Sequence, residues 1–293
     1  MVTFSEQVSS LPSDVALAVL GDPVAHSLSP AMQNAGLAAR ALPLSYGRLR
    51  VTEAELPKAF QELRSRFHGW NLTLPLKLAA LPLVDELDPE AQWLGAINTV
   101  VRRDQKLIGF NTDGLGLHRA LEAAFGAAWR SAPVTLIGAG GGAGSAAARY
   151  LARTGIPKLT LVNRTRAKLQ TLHATLEKTM HVRIGSWEEL PRAIADSRLV
   201  INASSLGLDG TPLDWDPAWL DPGHLVLDLV YRREPTPVVT WARRAGASAV
   251  DGLDMLLFQG AEAFRLWFGQ PVPEAEMQRA LYAAAFRHNS SER

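Results

Sequence analysis

Two groups of residues have types and spacings suited to chemistry, one of glycines and one of polar side chains. The turn Gly138–Ala139–Gly140–Gly141–Gly142–Ala143 follows the apolar run Val134–Ile137 and precedes the alanine-rich segment Gly144–Thr154. Strand, glycine turn and helix in that order are the context a dinucleotide fingerprint requires. Gly138 permits a tight turn, Gly140 lets backbone approach a pyrophosphate, and Ala143 is small enough for the helix to lie close to the strand. The anion would meet exposed N–H groups at the positive end of the helix dipole. At the end of the next strand, an NAD-binding chain would place Asp or Glu for the ribose hydroxyls. This sequence has Asn163, Arg164 and Thr165 there, followed by Lys168. A guanidinium pairs in a forked manner with a 2′-phosphate, so the expected cofactor is NADP(H). The plainer use of Asn163 or Thr165 is to cap a helix, and the two uses are compatible.

The polar group lies earlier in the chain. His26–Ser27–Leu28–Ser29–Pro30 brings two hydroxyls to an expected helix N-terminus, a small-anion site in outline, although simple capping by Ser29 would explain it alone. In Gly69–Lys77, Asn71 and Thr73 fall on one strand face because side chains alternate, and Lys77 follows just after the break at Pro75. Asn98 and Thr99 end the segment Gly95–Thr99, and Asn111, Thr112 and Asp113 follow Phe110. Each asparagine, taken singly, is more often a turn residue than a ligand. Lysine at a helix N-terminus opposes the dipole, which favours a functional reason for Lys77.

The elements that must position these residues alternate between short apolar runs and helix-period segments. That pattern predicts an α/β fold with mostly parallel strands. Expected strands are Val15–Leu20, Leu44–Val51, Trp70–Leu74, Val134–Ile137, Leu159–Val162, Val182–Ile184, Leu199–Ile201 and Leu225–Val230, with a hairpin from Ala96–Arg102 and Lys106–Phe110. Helices are expected over 30–42, over 53–67 with Thr52 as cap, over 166–179, and over 255–268 and 274–286. The segment after Val134 reads as βαβ winding in one compact unit.

Composition excludes several classes. The 293 residues include no cysteine, so disulfides, thiolate nucleophiles and cysteine metal sites are ruled out and a cytoplasmic location is the simplest expectation. A net charge of +1 supplies no field that would draw the chain to nucleic acid or an anionic membrane. The longest apolar runs have strand length, well short of the ~20 residues of a membrane helix. The seven histidines lack ligand spacing, so no metal is expected.

In their joint order these segments resemble the shikimate dehydrogenase family along nearly the whole chain. The matching pieces are Gly-x-Pro-x-x-His-Ser-x-Ser-Pro from Gly21, Asn-x-Thr-x-Pro-x-Lys from Asn71, Gly-Ala-x-Asn-Thr from Gly95 and Asn-Thr-Asp from Asn111. The glycine turn, Asn-Arg-Thr from Asn163, Asn-Ala-Ser-Ser-x-Gly from Asn202, Asp-x-x-Tyr from Asp228, and Gly252 with Met255 and Gln259 complete the series. Four positions depart from the family pattern. Gln33, Leu76 and Leu72 read as packing changes, whereas Leu208 falls nearer the expected nicotinamide pocket.

The resemblance implies reversible, NADPH-dependent reduction of 3-dehydroshikimate to shikimate in aromatic amino-acid biosynthesis. It assigns Lys77 and Asp113 as the catalytic pair and puts Ser27 and Ser29 on the ring carboxylate, with Thr73 and Tyr231 also on substrate. Asn71, Asn98, Asp113 and Gln259 would bind ring hydroxyls, while Ser204 in the Asn202–Gly207 loop, Leu229, Gly252 and Met255 would lie along the nicotinamide half of the cofactor. The implied layout is a substrate domain over 1–113, a Rossmann-type NADP domain over 114–253, and C-terminal helices over 254–293 that return to the first domain. Catalysis would then fall between domains. The expected partner is the small-molecule substrate, for a monomer or homodimer. Two alternatives stand beside this reading: a quinate/shikimate dehydrogenase using NAD, and a non-catalytic NADP- or shikimate-binding sensor. Retention of Ser27, Ser29 and Arg164 argues against the first, and retention of Lys77 and Asp113 against the second.

Overall fold

An unbroken apolar run of strand length must be covered on both faces, and Val15–Gly21 is buried at every residue. It is β1 of a sheet completed by Ser45–Arg50 (β2), Gly69–Leu72 (β3), Glu86–Leu87 (β4), Thr99–Arg103 (β5) and Lys106–Phe110 (β6). A computed structural model describes residues 4–209, 211–213 and 215–286. The chain forms two compact units, one running to Gly116 and resuming at Leu256, the other Leu117–Met255.

In the first unit the strand order is β2-β1-β3-β5-β6-β4. β2 and β3 flank β1 in parallel, while β5 runs antiparallel to β3 and β6. The β5–β6 turn, Asp104–Gln105, has positive φ at both residues (46° and 70°), the twist a two-residue hairpin needs, and achieves it without glycine. Gly69 has a different reason to be glycine. A Cβ there would lie 2.3 Å from both Trp267 Nε1 and Val100 O, because the indole lies over the strand and donates to Val100 O at 3.0 Å. Trp267 belongs to the helix Leu253–Phe268, and the following helix Glu274–Phe286 packs on Ser29–Ala39, with Met277 and Phe264 against Gly36.

The second unit has six parallel strands, Val134–Ile137 (β7), Leu159–Val162 (β8), Val182–Gly185 (β9), Leu199–Asn202 (β10), Leu225–Asp228 (β11) and Ser248–Val250 (β12). Their order, β12-β11-β10-β7-β8-β9, is that of the doubly wound dinucleotide fold, with the reversal between β7 and β10. Alternation divides the strands between two cores. Leu136, Leu161, Ile201 and Leu227 face one, and Ile137, Val162, Val200 and Val226 face the other.

Element type follows the sequence reading more closely than element ends do. The helix expected over 53–67 spans Leu56–Arg66, since Pro57 seeds its first turn. Thr52 and Glu55 form a reciprocal capping box on the turn that leads into it: Thr52 Oγ1 accepts from Glu55 N at 3.4 Å, and Thr52 N donates to Glu55 Oε2 at 3.0 Å. Ser29 is the first helical residue of Ser29–Ala39 rather than its cap. The segment expected as one helix over 166–179 is a 3₁₀ turn, Arg166–Leu169, followed by the helix Gln170–Leu176. The edge strand β12 is too short to show a period, whereas the helix Pro237–Arg244, with Val238, Val239, Trp241 and Ala242 on its buried stripe, was passed over despite its period.

The Gly69 contact yields a stability prediction. Gly69→Ala must displace Trp267 or the β5 backbone, at a cost of about 1–3 kcal/mol. The urea midpoint should fall with an unchanged denaturant slope, and an unaltered midpoint would mean the indole moves freely.

Candidate active site

The polar side chains of the first unit converge at the carboxyl ends of β1 and β3 and the start of the helix Asp113–Phe125. Lys77, in the short helix Leu76–Ala79 just past β3, donates from Nζ to Asp113 Oδ2 at 2.6 Å. The two side chains are only 13% and 7% exposed, so the pair is largely withdrawn from water. Asp113 opens a 13-residue helix, where the dipole favours a carboxylate. Lys77 sits in a helix too short for the opposing dipole argument to apply.

Asn98 holds the other carboxylate oxygen. Its Nδ2 donates to Asp113 Oδ1 at 2.8 Å and to Thr112 Oγ1 at 2.9 Å, with Gln259 Oε1 at 3.3 Å. Its Oδ1 accepts from Thr112 N at 2.9 Å and from Thr99 Oγ1 at 3.0 Å. Asn71, paired in register with Thr99, donates to Thr99 Oγ1 at 3.0 Å and to Asn98 O at 3.1 Å. Asn111 Oδ1 accepts from Asp113 N, fixing the helix start. Thr73 is half-buried beside Gly21, its methyl filling the space a Cβ there would take. Ser27 Oγ accepts from Ser29 N at 3.3 Å, and the Ser27 carbonyl is clamped by Arg48 Nε and Nη2 at 3.0 and 2.8 Å. Arg48 and Tyr46 were not singled out by sequence reading. Nothing in their local spacing marks them, because their partners, Ser27 and Asn71, are more than 20 positions away in the chain.

In the second unit the glycine turn leaves β7 and enters the helix Gly142–Leu151, two residues earlier than expected. No side chain caps that helix, so its first N–H groups have no partner from within it. Gly138 has φ +83°, and a Cβ there would lie 2.6 Å from Ser204 N. A Cβ on Gly140 would come within 3.1 Å of Asn163 Nδ2 and Lys168 Cβ. The close helix–strand approach expected of Ala143 is made by Gly144 instead. A Cβ on Gly144 would lie 2.4 Å from Gly138 O, whereas Ala143 is only half-buried. Arg164, Thr165 and Lys168 are exposed past the end of β8, joined by Arg166, which the sequence reading passed over. Asn163 Nδ2 donates to Thr165 O at 3.0 Å, and Thr165 makes no side-chain cap.

The loops after β10 and β11 are tied together by a buried pair. Asn202 and Asp228 end their strands in register, and Asn202 Nδ2 donates to Asp228 Oδ1 at 2.8 Å. Asn202 Oδ1 accepts from Ser204 N and Oγ, while Asp228 also accepts from Val230 N and Thr236 Oγ1. Leu229 and Tyr231 follow, both half-buried, and Gly252 touches Leu229 so closely that a Cβ would lie 2.2 Å from Leu229 O. Met255 packs at the edge of the larger core. Leu208 is 58% exposed, and Gln33, Leu72 and Leu76 are buried.

The doubly wound strand order, with an uncapped glycine turn on β7, defines an α/β protein of the dinucleotide-binding class. The family matches are "Shikimate dehydrogenase substrate binding domain" over residues 19–100, "Shikimate / quinate 5-dehydrogenase" over 120–207 and "Shikimate 5'-dehydrogenase C-terminal domain" over 252–282. The shikimate dehydrogenase (NADP(+)) of Moorella thermoacetica is 42% identical over 92% of each chain. The chain belongs to the shikimate dehydrogenase family. Among solved structures, the Thermus thermophilus shikimate 5-dehydrogenase in complex with NADP(H) and shikimate matches with TM-score 0.82 and 38% identity, over 92% of this chain and 99% of that one. The quinate dehydrogenase from Corynebacterium glutamicum in complex with NAD has TM-score 0.84 at 30% identity, over 92% and 99%. Among the described residues, no helix is long and apolar enough to cross a membrane.

Asp228 makes the second unit sensitive to pH. Burial pushes its carboxyl up to about 6 from the usual 3.8, against the hydrogen bonds from Thr236, Val230 and Asn202 that pull it down. The native state therefore holds a proton that the unfolded chain has lost between those two values. The contribution to stability is full below the unfolded value and is lost as pH rises through about 6. Its size is about 3 kcal/mol. Asp228→Asn should remove that component, so the unfolding free energy at pH 7 minus that at pH 4 should rise in the variant by about this amount. An identical pH dependence would show that Asp228 does not carry it.

Proposed function

We propose that this chain catalyses the reversible, NADPH-dependent reduction of 3-dehydroshikimate to shikimate, with Lys77 and Asp113 as the catalytic pair. The observation that carries the reading is the withdrawn Lys77–Asp113 contact of 2.6 Å inside a cluster of amide and hydroxyl side chains suited to a polyhydroxylated ring. The glycine turn fits a dinucleotide, since the space at Gly140 beside Asn163 and Lys168 would be filled by any side chain. Exposed Arg164 and Lys168, with no carboxylate between Asn163 and Lys168, suit the additional phosphate of NADP(H). The bound cofactor supplies the hydride equivalent of the reaction.

The chain's own residues do the rest. As charge develops on the C3 oxygen, the Lys77 ammonium stabilises it and supplies the proton. Asp113 orients Lys77 through Oδ2 and is itself held through Oδ1 by Asn98. Asn71 uses both Nδ2 protons on Asn98 O and Thr99 Oγ1, so it meets a ring hydroxyl as an acceptor. Ser27 and Ser29 are assigned to the ring carboxylate by motif, as are Thr73 and Tyr231 to substrate. Asn98 and Gln259 are assigned to ring hydroxyls. Ser204, Leu229, Gly252 and Met255 are assigned to the nicotinamide half. In this reading the residues up to 113 bind substrate, 114–253 bind cofactor and 254–293 support the former. The enzyme works in the cytoplasm as a monomer or homodimer.

Shikimate oxidation followed by NADPH absorbance, with NAD and quinate as controls, tests the assignment directly. Shikimate with NADP should give the highest kcat/KM, and faster oxidation of quinate with NAD would overturn it. Lys77→Ala should lower kcat by about 10²–10⁴-fold while shikimate binding, measured by calorimetry, changes little. Unchanged turnover in folded Lys77→Ala would remove the lysine from its role.

A further inference from the structure

Tyr46 lies on edge strand β2, two strands away from Asn71 on β3, and has no local reason to be polar at its tip. It is 3% exposed, its ring packs 6.1 Å from that of Trp267, and its hydroxyl reaches Asn71 Oδ1 at 2.7 Å. Its own backbone is held to Asn34, whose Oδ1 accepts from Tyr46 N and whose Nδ2 donates to Tyr46 O.

The direction of every bond in this network is fixed by two backbone groups. Asn98 O can only accept, so the Asn71 group facing it at 3.1 Å is Nδ2. Asn71 Oδ1 therefore faces Tyr46, and the phenol must donate. Thr112 N can only donate, so the Asn98 atom facing it at 2.9 Å is Oδ1. Thr99 Oγ1 lies between the two amides. It accepts from Asn71 Nδ2 at 3.0 Å and must donate to Asn98 Oδ1 at 3.0 Å. The donors thus run one way, from Tyr46 to Asn71 to Thr99 to Asn98 and into Asp113 Oδ1. Tyr46, Asn71, Thr99, Asn98 and Asp113 are each at most 6% exposed, so water does not stand in for a missing member. Burial also pushes the Tyr46 hydroxyl well above its ordinary value, which keeps it protonated and able to donate.

We propose that Tyr46 and Thr99 are positioning residues: through Asn71 and Asn98 they set the orientation of the Asp113 carboxylate that holds Lys77. Neither needs to touch substrate. The proposal rests on the dehydrogenase reading for its kinetic consequence and on geometry alone for the relay itself. Removing the phenol hydroxyl leaves Asn71 Oδ1 buried without a donor, and Asn71 then relaxes away from Thr99. Removing the Thr99 hydroxyl breaks the chain one step from Asn98.

The test uses Tyr46→Phe, which keeps the ring, together with Thr99→Val and Thr99→Ser. For shikimate oxidation, Thr99→Val should lower kcat about 10-fold or more, Tyr46→Phe should lower it by less, and Thr99→Ser should recover most of the loss. Both damaging variants should shift the pH profile of kcat while leaving KM for NADP unchanged, and the double variant should cost less than the product of the singles. Wild-type kcat and pH profile in folded Tyr46→Phe and Thr99→Val, even with lowered melting temperatures, would reduce the network to packing and overturn the proposal. A loss that Thr99→Ser does not restore would also overturn it.

A second readout separates this idea from the functional assignment. The side-chain amide proton and nitrogen NMR signals of Asn98 should move in Tyr46→Phe, although Tyr46 makes no bond to Asn98. If wild type turned over neither shikimate nor quinate, the dehydrogenase reading would fail, and these signals would still decide the relay. Signals unmoved in Tyr46→Phe would sink it.

Discussion

A lysine and an aspartate cannot be taken out of water cheaply. Each ion costs several kcal/mol to desolvate, and mutual attraction offsets this only when the remaining lone pairs and protons are also satisfied. The Lys77–Asp113 pair imposes that requirement on the whole first unit. Asp113 Oδ1 needs a donor, which is Asn98, and Asn98 Oδ1 needs donors in turn, which are Thr112 N and Thr99. Polar side chains are thereby drawn onto the sheet face of Leu17, Val19 and Val101, opposite the apolar face that carries Leu20, Leu49, Leu72 and Val100. The β5–β6 hairpin is the means of supply. Its register places Thr99 opposite Phe110, so the chain entering β5 and the chain leaving β6 stand side by side at the pair.

The second unit answers a different demand, close approach of backbone to backbone. Its glycines are needed where a Cβ would strike main chain, as at Gly138, Gly144 and Gly252. The Asn202–Asp228 bridge joins the loops after β10 and β11, and it too is a buried carboxylate held by amide, hydroxyl and backbone donors. Each unit thus stabilises its loops at the carboxyl ends of strands with a carboxylate that side-chain amides orient.

Much of this was visible in the chain. Strands such as β1, β7 and β8 are short apolar runs bounded by Gly, Pro or Asn, and the helix Glu274–Phe286 lies where its periodicity places it. What was misread has local causes. Ser29 was read as a cap because Pro30 suits the first helical position, whereas the helix already begins at Ser29. Ala143 was assigned the close contact because the fingerprint counts residues, whereas the helix phase brings Gly144 to the strand.

Residue types and their order were enough for the α/β class, the dinucleotide turn, the absence of an acidic residue after β8 and the family pattern, because these depend on local propensity and spacing. Which side chain satisfies which was not available at that level. Lys77 and Asp113 are 36 positions apart, and Tyr46 and Asn71 are 25 apart with another strand between them. Hydrogen bonds are short-ranged and directional, so their pairing is set by strand order and register. Arg48, Tyr46 and Gly144 carry no signature along the chain, and they acquire a role when parallel pairing and hairpin closure bring their partners within 3 Å or so.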